Sequence, residues 1–204
     1  MHRKALVAFA AALVFSALAP AAVLATGTAT PPLGPNDHQA YVAEADDPIG
    51  GTADLSGPLA INDRFGGTCS YDFDISYEDD GTATVDDFST SDCVVNGYPN
   101  CTMTTTPTDL PWGARLVHDT NDGKDRLRMN MRFAITMHQG TWTCPVPAGT
   151  YQGVGALSPS LSFSGGVLTA SFGLGSGNWS WVWGTGSAIG SVSGTPTTGD
   201  SIVY

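Results

Sequence analysis

The sequence predicts an all-β fold, an antiparallel β-sandwich or flattened barrel held by two disulfides. Three observations predict it. Apolar and polar residues alternate strictly through Cys69–Tyr77 and Arg126–Met137, the period-2 signature of a half-buried strand. Turn residues punctuate the chain, with 25 glycines and 13 prolines in 204 residues, at the roughly 8–12-residue spacing of sandwiches and barrels. Four cysteines follow an export-type leader, and an even set in an oxidising compartment forms bridges. Charged residues are only 13 %. Thr, Ser and Gly replace the Glu, Lys, Leu and Ala that a helical bundle or coiled coil requires.

Residues 1–25 read as a secretory signal peptide. Met1-His2-Arg3-Lys4 is a short basic region, Ala5 to Leu18 is apolar, and Val23-Leu24-Ala25 places small residues before a cut after Ala25. No second apolar run approaches the length of about 20 residues needed to span a membrane, so no membrane span is expected after cleavage. Residues 26–50 are polar and Pro-rich, and read as a disordered or extended lead. Residues 51–204 read as a single β domain. With 8 basic against 19 acidic residues and a net charge of −11, the chain is a poor nucleic-acid binder, because phosphate contacts need Lys and Arg.

The elements follow in order. Tyr71, Phe73, Ile75 and Tyr77 share one face, with Asp72, Asp74 and Ser76 on the other. Glu78-Asp79-Asp80-Gly81 turns the chain, and Thr82–Val85 returns. The hairpin brings Cys69 near Cys93, which favours Cys69–Cys93 with Cys101–Cys144. The alternative is Cys93–Cys101 across Asn96-Gly97 with Cys69–Cys144. No Cys-x-x-Cys spacing is present, which speaks against zinc. A second hairpin joins Arg115–Val117 to Arg126–Met137 over the turn 119–125. Leu127, Met129, Met131, Phe133, Ile135 and Met137 face one way, and Arg126, Arg128, Asn130, Arg132, Ala134 and Thr136 the other. Leu161–Phe172 is a hairpin over Gly165-Gly166, and Trp179–Trp183, Ile189–Thr195 and Ser201–Tyr204 complete the strands.

Charge is unevenly placed. No basic residue lies between Arg64 and Arg115, while Asp72, Asp74, Glu78, Asp79, Asp80, Asp86, Asp87 and Asp92 all do. If the two hairpins are neighbours, outward Arg128 and Arg132 pair with outward Asp72 and Asp74. The plainer reading is a solvated sheet face with weak surface pairs.

The candidate chemistry is sparse. His38, His118 and His138 are the histidines downstream of the leader. His118 precedes Asp119, but strand neighbours point to opposite faces and form no relay. A Gly-x-Ser-x-Gly elbow is missing, as is the helix it needs. The turn Asp119–Asp125 is oxygen-rich, but its glycine sits one position early for an EF-hand, and Asn130 occupies the place of the bidentate Glu. Looser oxygen cages at Asp79-Asp80 or Asp86-Asp87 are the other cation candidates. Asn100-Cys101-Thr102 and Asn178-Trp179-Ser180 match the N-glycosylation acceptor at near-chance frequency. Trp179, Trp181 and Trp183 lie at i, i+2 and i+4 and share a strand face. Exposed, they form a glycan platform; buried, they form one wall of the core. The opposite face, Ser180 and Val182, is weakly polar, which favours burial.

Gly67-Thr68-Cys69, the Gly81-Thr82 turn, Cys93, Cys101, Leu110-Pro111-Trp112 and Ser191–Thr195 together resemble a group of secreted actinobacterial β-proteins. They are similar, more distantly, to the PraB-type secreted proteins called activators of alkane oxidation. The resemblance covers about Asp47 to Thr195 and leaves the Arg126–Met137 strand and the tryptophan row unmatched. It implies a secreted, surface-associated β-protein and supplies no catalytic residues. Pro111 cannot donate to a ladder, so Leu-Pro-Trp starts a strand with Trp112 in the core. The function expected is that of an exported, non-enzymatic protein of the bacterial cell surface or extracellular matrix, with no cofactor and no metal. The alternative is a glycan-binding module using the tryptophan row. Cell-wall or extracellular polysaccharide, or a surface protein, is the expected partner.

Overall fold

The computed structural model describes residues 29–62, 66–139, 144, 147–173, 177–181 and 184–204. Every regular element among them is a strand: β1 (Asp37–Gln39), β2 (Tyr41–Glu44), β3 (Asp47–Pro48), β4 (Gly51–Asn62), β5 (Gly67–Tyr77), β6 (Thr82–Val95), β7 (Tyr98–Pro107), β8 (Trp112–Asp119), β9 (Lys124–Gln139), β10 (Gly149–Leu157), β11 (Ser160–Ser164), β12 (Val167–Phe172), β13 (Gly177–Trp181), β14 (Gly184–Gly194) and β15 (Ser201–Val203).

Eleven of these strands close into a barrel of eight staves, and β1 joins the same sheet by pairing with β8. β4, β5 and β6 are the first three, paired antiparallel in sequence. β7 and β8 run end to end along the same edge of β9 and make the fourth, with β9 the fifth. β10 and β11 likewise share the other edge of β9. β12 and β13 pair with them and with β14. Finally β14 pairs with β4, from Ser187↔Asn62 to Ser193↔Ser56, and the sheet is closed. The flattened barrel is therefore the form that the all-β expectation takes.

Alternation decides what goes inside. In β5, Cys69, Tyr71, Phe73, Ile75 and Tyr77 are buried while Asp72 and Asp74 are exposed. In β9, Leu127, Met129, Met131, Phe133, Ile135 and Met137 are buried. An aromatic cluster fills the middle, with ring centroids 5.0 Å apart for Phe73–Phe88, 5.2 Å for Phe88–Trp112 and 6.1 Å for Phe73–Phe172, the separations at which aromatic pairs attract. Trp112 begins β8 as expected and is fully buried, its indole N–H donating to the Thr108 carbonyl at 2.8 Å. A cavity of about 30 Å³ lies among Leu59, Phe73, Phe88 and Phe133, far below the roughly 300–1,000 Å³ of a ligand pocket.

One seam is irregular. β6 pairs with β8 over residues 82–85 and with β7 only at Val94 and Val95. Between them the Thr90 hydroxyl accepts from the Thr105 amide at 3.2 Å, a side chain replacing a ladder bond.

The two ends are closed by different means. At the end carrying the turns 78–81, 120–123 and 165–166, a three-stranded sheet in the order β15-β2-β3 lies across the opening. Ala40, Val42 and Ala43 are completely buried in it. Residues 29–50, expected as a disordered or extended lead, are thus built into the fold. Arg115 donates to the Pro31 carbonyl (2.9 Å) and to Gln39 (2.6 Å), and Arg128 pairs with Asp37 at 2.5 Å. At the opposite end sit the disulfides Cys69–Cys93 and Cys101–Cys144, with Cα separations of 4.1 and 5.7 Å. This is the favoured connectivity of the sequence reading. The first joins neighbouring staves; the second ties the chain beyond β9 back to β7. Residues 1–28, including the expected signal peptide, lie outside the described residues.

Candidate functional site

The outer face of the barrel is where unusual chemistry collects. Side chains directly opposite on paired strands share a face, so the register can be followed around the wall. One row runs Ser162↔Thr169↔Ser193↔Ser56↔Asp72↔Ser89 across six strands. All but the half-buried Thr169 are exposed. Six strands span about 24 Å at the usual strand spacing. A parallel row, Ser160↔Ser171↔Ser191, lies beside it. Long charged side chains are missing from these rows. All five described basic residues, Arg115, Lys124, Arg126, Arg128 and Arg132, stand on β8 and β9.

Next to the long row is a line of carboxylates, Asp54↔Asp74↔Asp87. Oxygen atoms of Asp54, Asp72 and Asp74 lie within 4.8 Å of one another. Like charges directly opposite on a sheet repel, and the carboxyls respond. A shared hydrogen bond with Asp54 pushes Asp72 up to about 6, helped by partial burial and by the charges of Asp54, Asp74 and Asp87. Partial burial, then the charges of Asp54, Asp87 and Asp86, raises Asp74. Asp72 and Asp74 are evident from the alternation of β5, whereas Asp54 is not. Its position in β4 opposite Asp74 follows from pairing, and only the alternation Thr52, Asp54, Ser56 hinted at it.

The expected pairing of Arg128 and Arg132 with Asp72 and Asp74 is corrected by the topology. The two hairpins do meet, through β6 and β8, but β5 and β9 are three staves apart, so their outward residues do not. Arg128 instead pairs with Asp37 (2.5 Å) and Asp119 (3.9 Å), and Arg132 with Asp109 (3.3 Å).

The turn 119–125 is a hairpin turn whose carboxylates are already committed. Asp119 caps the Asn121 amide at 3.0 Å and lies 3.3 Å from Arg126, which also meets Asp122. Asp125 is 2.9 Å from His118. Asp80 caps its own turn through the Thr82 amide (2.8 Å) and hydroxyl (2.6 Å), and the hydroxyl bond in particular lowers its pKa. Asp86 accepts from the Thr84 hydroxyl at 2.8 Å and from Ser76, and Asp87 accepts from the Phe88 amide at 2.8 Å. Neither oxygen cage named from the sequence, at Asp79-Asp80 or at Asp86-Asp87, coincides with the Asp54-Asp72-Asp74 group.

Among the histidines, His118 is paired with Asp125 on the neighbouring strand rather than with Asp119, as strand geometry requires. Its ring stacks on Tyr204, centroids 3.6 Å apart. Among the described residues no hydroxyl or thiol hydrogen-bonds to its Nε2, the third member that a nucleophilic relay needs. His138 is exposed and lies 3.2 Å from the Thr104 hydroxyl.

Of the tryptophan row, Trp183 and the side chains of Trp179 and Trp181 lie outside the described residues. The backbone register is informative nonetheless. Trp179 pairs with Gly155 and Gly186, and Trp181 with Gly153 and Gly184. The same two rows continue to Met131 and Phe133, both buried. The Phe133 ring occupies the space over Gly153, 2.5 Å from where a Cβ would stand.

A groove of about 320 Å³ runs between Pro31–Gly34 and β9–β10. Arg128 in its wall is already engaged by Asp37 and Asp119. A scan against protein-family models, a search of curated proteins and a search of solved structures return no match to the chain.

Proposed function

We infer that the chain is an exported, non-enzymatic β-protein that works at the bacterial cell surface or in the extracellular matrix through its outer wall. Its role is structural, adhesive or protein-binding. The observation that carries the reading is the six-strand row of short hydroxyls and carboxylate from Ser162 to Ser89. Ser and Thr lose little rotamer entropy on docking compared with Lys, Arg or Glu. They also offer both donors and acceptors to a hydrated polymer.

Supporting it, the interior is used as core, and the two bridges suit an oxidising compartment. The leader Met1–Ala25 fits export. No described helix is long and apolar enough to cross a membrane. The wall is polar outside and apolar inside, the reverse of a lipid-facing barrel. The resemblance to secreted actinobacterial β-proteins points the same way. The glycan-binding alternative uses Trp179, Trp181 and Trp183.

The test has two parts. A tagged full-length chain is fractionated from a bacterial host, and purified protein is incubated with isolated cell walls. Export and wall binding that Ser56→Arg and Ser193→Arg abolish, at unchanged melting temperature, are expected. Retention in the cytoplasm, or wall binding indifferent to both variants, sinks the reading. Tryptophan emission titrated with polysaccharides separates the alternative. A shielded, unresponsive signal excludes the platform, whereas a quenchable signal shifting with one glycan establishes it.

A further inference from the structure

The chain after β14 crosses the turn-bearing end of the barrel as a strap. Thr197 and Thr52 exchange bonds, the Thr197 amide donating to the Thr52 carbonyl (2.8 Å) and the Thr52 amide to the Thr197 hydroxyl (2.9 Å). The Tyr77 hydroxyl donates to the Thr198 carbonyl at 2.5 Å, and the Thr198 hydroxyl to the Gly50 carbonyl at 2.8 Å. β15 then pairs with β2, the strand that carries the buried Val42. Beyond β15 the last hold is the Tyr204 ring, 69 % exposed, stacked at 13° on the buried imidazole of His118.

We propose that Tyr204 and His118 form a pH-sensitive clasp, which fastens the strap over the barrel end more tightly when the imidazole is protonated. The groups around His118 give the sign. Asp125 on β9 faces its Nδ1 at 2.9 Å. Of the other charged groups nearby, Asp119 is engaged by Arg126, and Lys124 lies 3.9 Å from Asp122. On β1, Asp37 is engaged by Arg128, and exposed His38 is the residue opposite His118. Protonated His38 opposes the charge, but from solvent, where the repulsion is screened. Imidazoles as a class take up their proton between about pH 8 and 5. The proton turns the His118–Asp125 contact into an ion pair and places a cation against the Tyr204 ring face, an attraction of the cation–π kind. The neutral ring has only the stack and one hydrogen bond. The strap is therefore held more firmly in acid, and the plug strand β2 with it.

Amide hydrogen exchange of the purified, disulfide-bonded protein tests this directly, with rates corrected for the intrinsic pH effect. Protection of the amides in 200–203 is expected to be about two- to five-fold greater at pH 5.5 than at pH 7.5. Amides of 149–153 in β10, opposite the far end of β9 from Asp125 and away from the carboxylates of β4 and β5, serve as the internal reference. Tyr204→Leu removes an exposed ring and leaves the core intact. It is expected to abolish the difference, and His118→Gln likewise. Equal strap protection at the two pH values, or a difference that survives Tyr204→Leu, overturns the clasp.

Discussion

Removing one charge from the Asp54-Asp72-Asp74 group stabilises the protein at neutral pH. Asp72 is raised from 3.8 to about 6 by the hydrogen bond it shares with Asp54 and by the surrounding carboxylates. The sign follows from linkage. An acid whose folded pKa lies above its unfolded value binds more protons folded than unfolded, so stability is full below about pH 4 and falls as pH rises through 6. At face value the raise is worth about 3 kcal/mol. The group stands on the outer wall in contact with water, so screening leaves about 1 kcal/mol. For a chain of this size that is about 2–4 °C of melting temperature.

The perturbation is Asp72→Asn, which keeps the shape and the hydrogen bond and removes the charge. Differential scanning calorimetry at pH 7 is expected to show the variant melting about 2–4 °C above the parent, and the gap closing by pH 4. Salt at about 0.5 M shrinks the gap at pH 7, because the Debye length falls well below 10 Å. Comparing the two proteins at each pH cancels the titrating groups that do not interact with Asp72. A variant less stable than its parent at pH 7, or a gap that does not narrow in acid, refutes the reasoning.

Three further outcomes follow from the packing. Losing Cys101–Cys144, which closes 43 residues, is expected to cost about 4 kcal/mol by loop entropy, against about 3.5 for Cys69–Cys93, which closes 24; urea titration of the paired Cys→Ser variants ranks them. Gly194→Ala puts a Cβ 1.7 Å from the Asp54 carbonyl oxygen on the closing strand pair, so it is expected to lose several kcal/mol in the same assay, well beyond the roughly 1–3 of ordinary overpacking. Asp37→Asn breaks a pair whose carboxylate is completely buried against Arg128, and limited proteolysis is expected to cut the variant within 29–36 faster than the parent.

The strands were legible because they obey local rules. β5 and β9 alternate without interruption, Gly165-Gly166 adopts positive φ at both turn positions, and Cys93 lies where a hairpin return brings it to Cys69. The strands of the lead were not legible, for a physical reason. Residues 37–44 are too short for any period to register, and what orders them is remote: Arg115, Arg128 and the strap. The acidic group was half legible. Alternation put Asp72 and Asp74 outward, but only the β4–β5 register sets Asp54 beside them. The mistaken partner for Arg128 has the same origin, since alternation fixes a residue's face and says nothing of which stave stands next to it.

Closure itself shows what alternation leaves open. A sheet with one apolar face can bury it against a second sheet or by curling until its edges meet. Here the edges are β4 and β14, and their meeting depends on how closely two backbones approach. A Cβ at Gly57 would stand 2.6 Å from the Ser191 carbonyl oxygen, and one at Gly190 2.7 Å from that of Pro58. These glycines on facing edges remove the side chains that would hold the strands apart. In the sequence they look like two more turn residues in a glycine-rich chain. Once the edges have met, the apolar face is spent on the interior. Among the described residues it is the outer wall that then carries the rows of Ser, Thr and Asp.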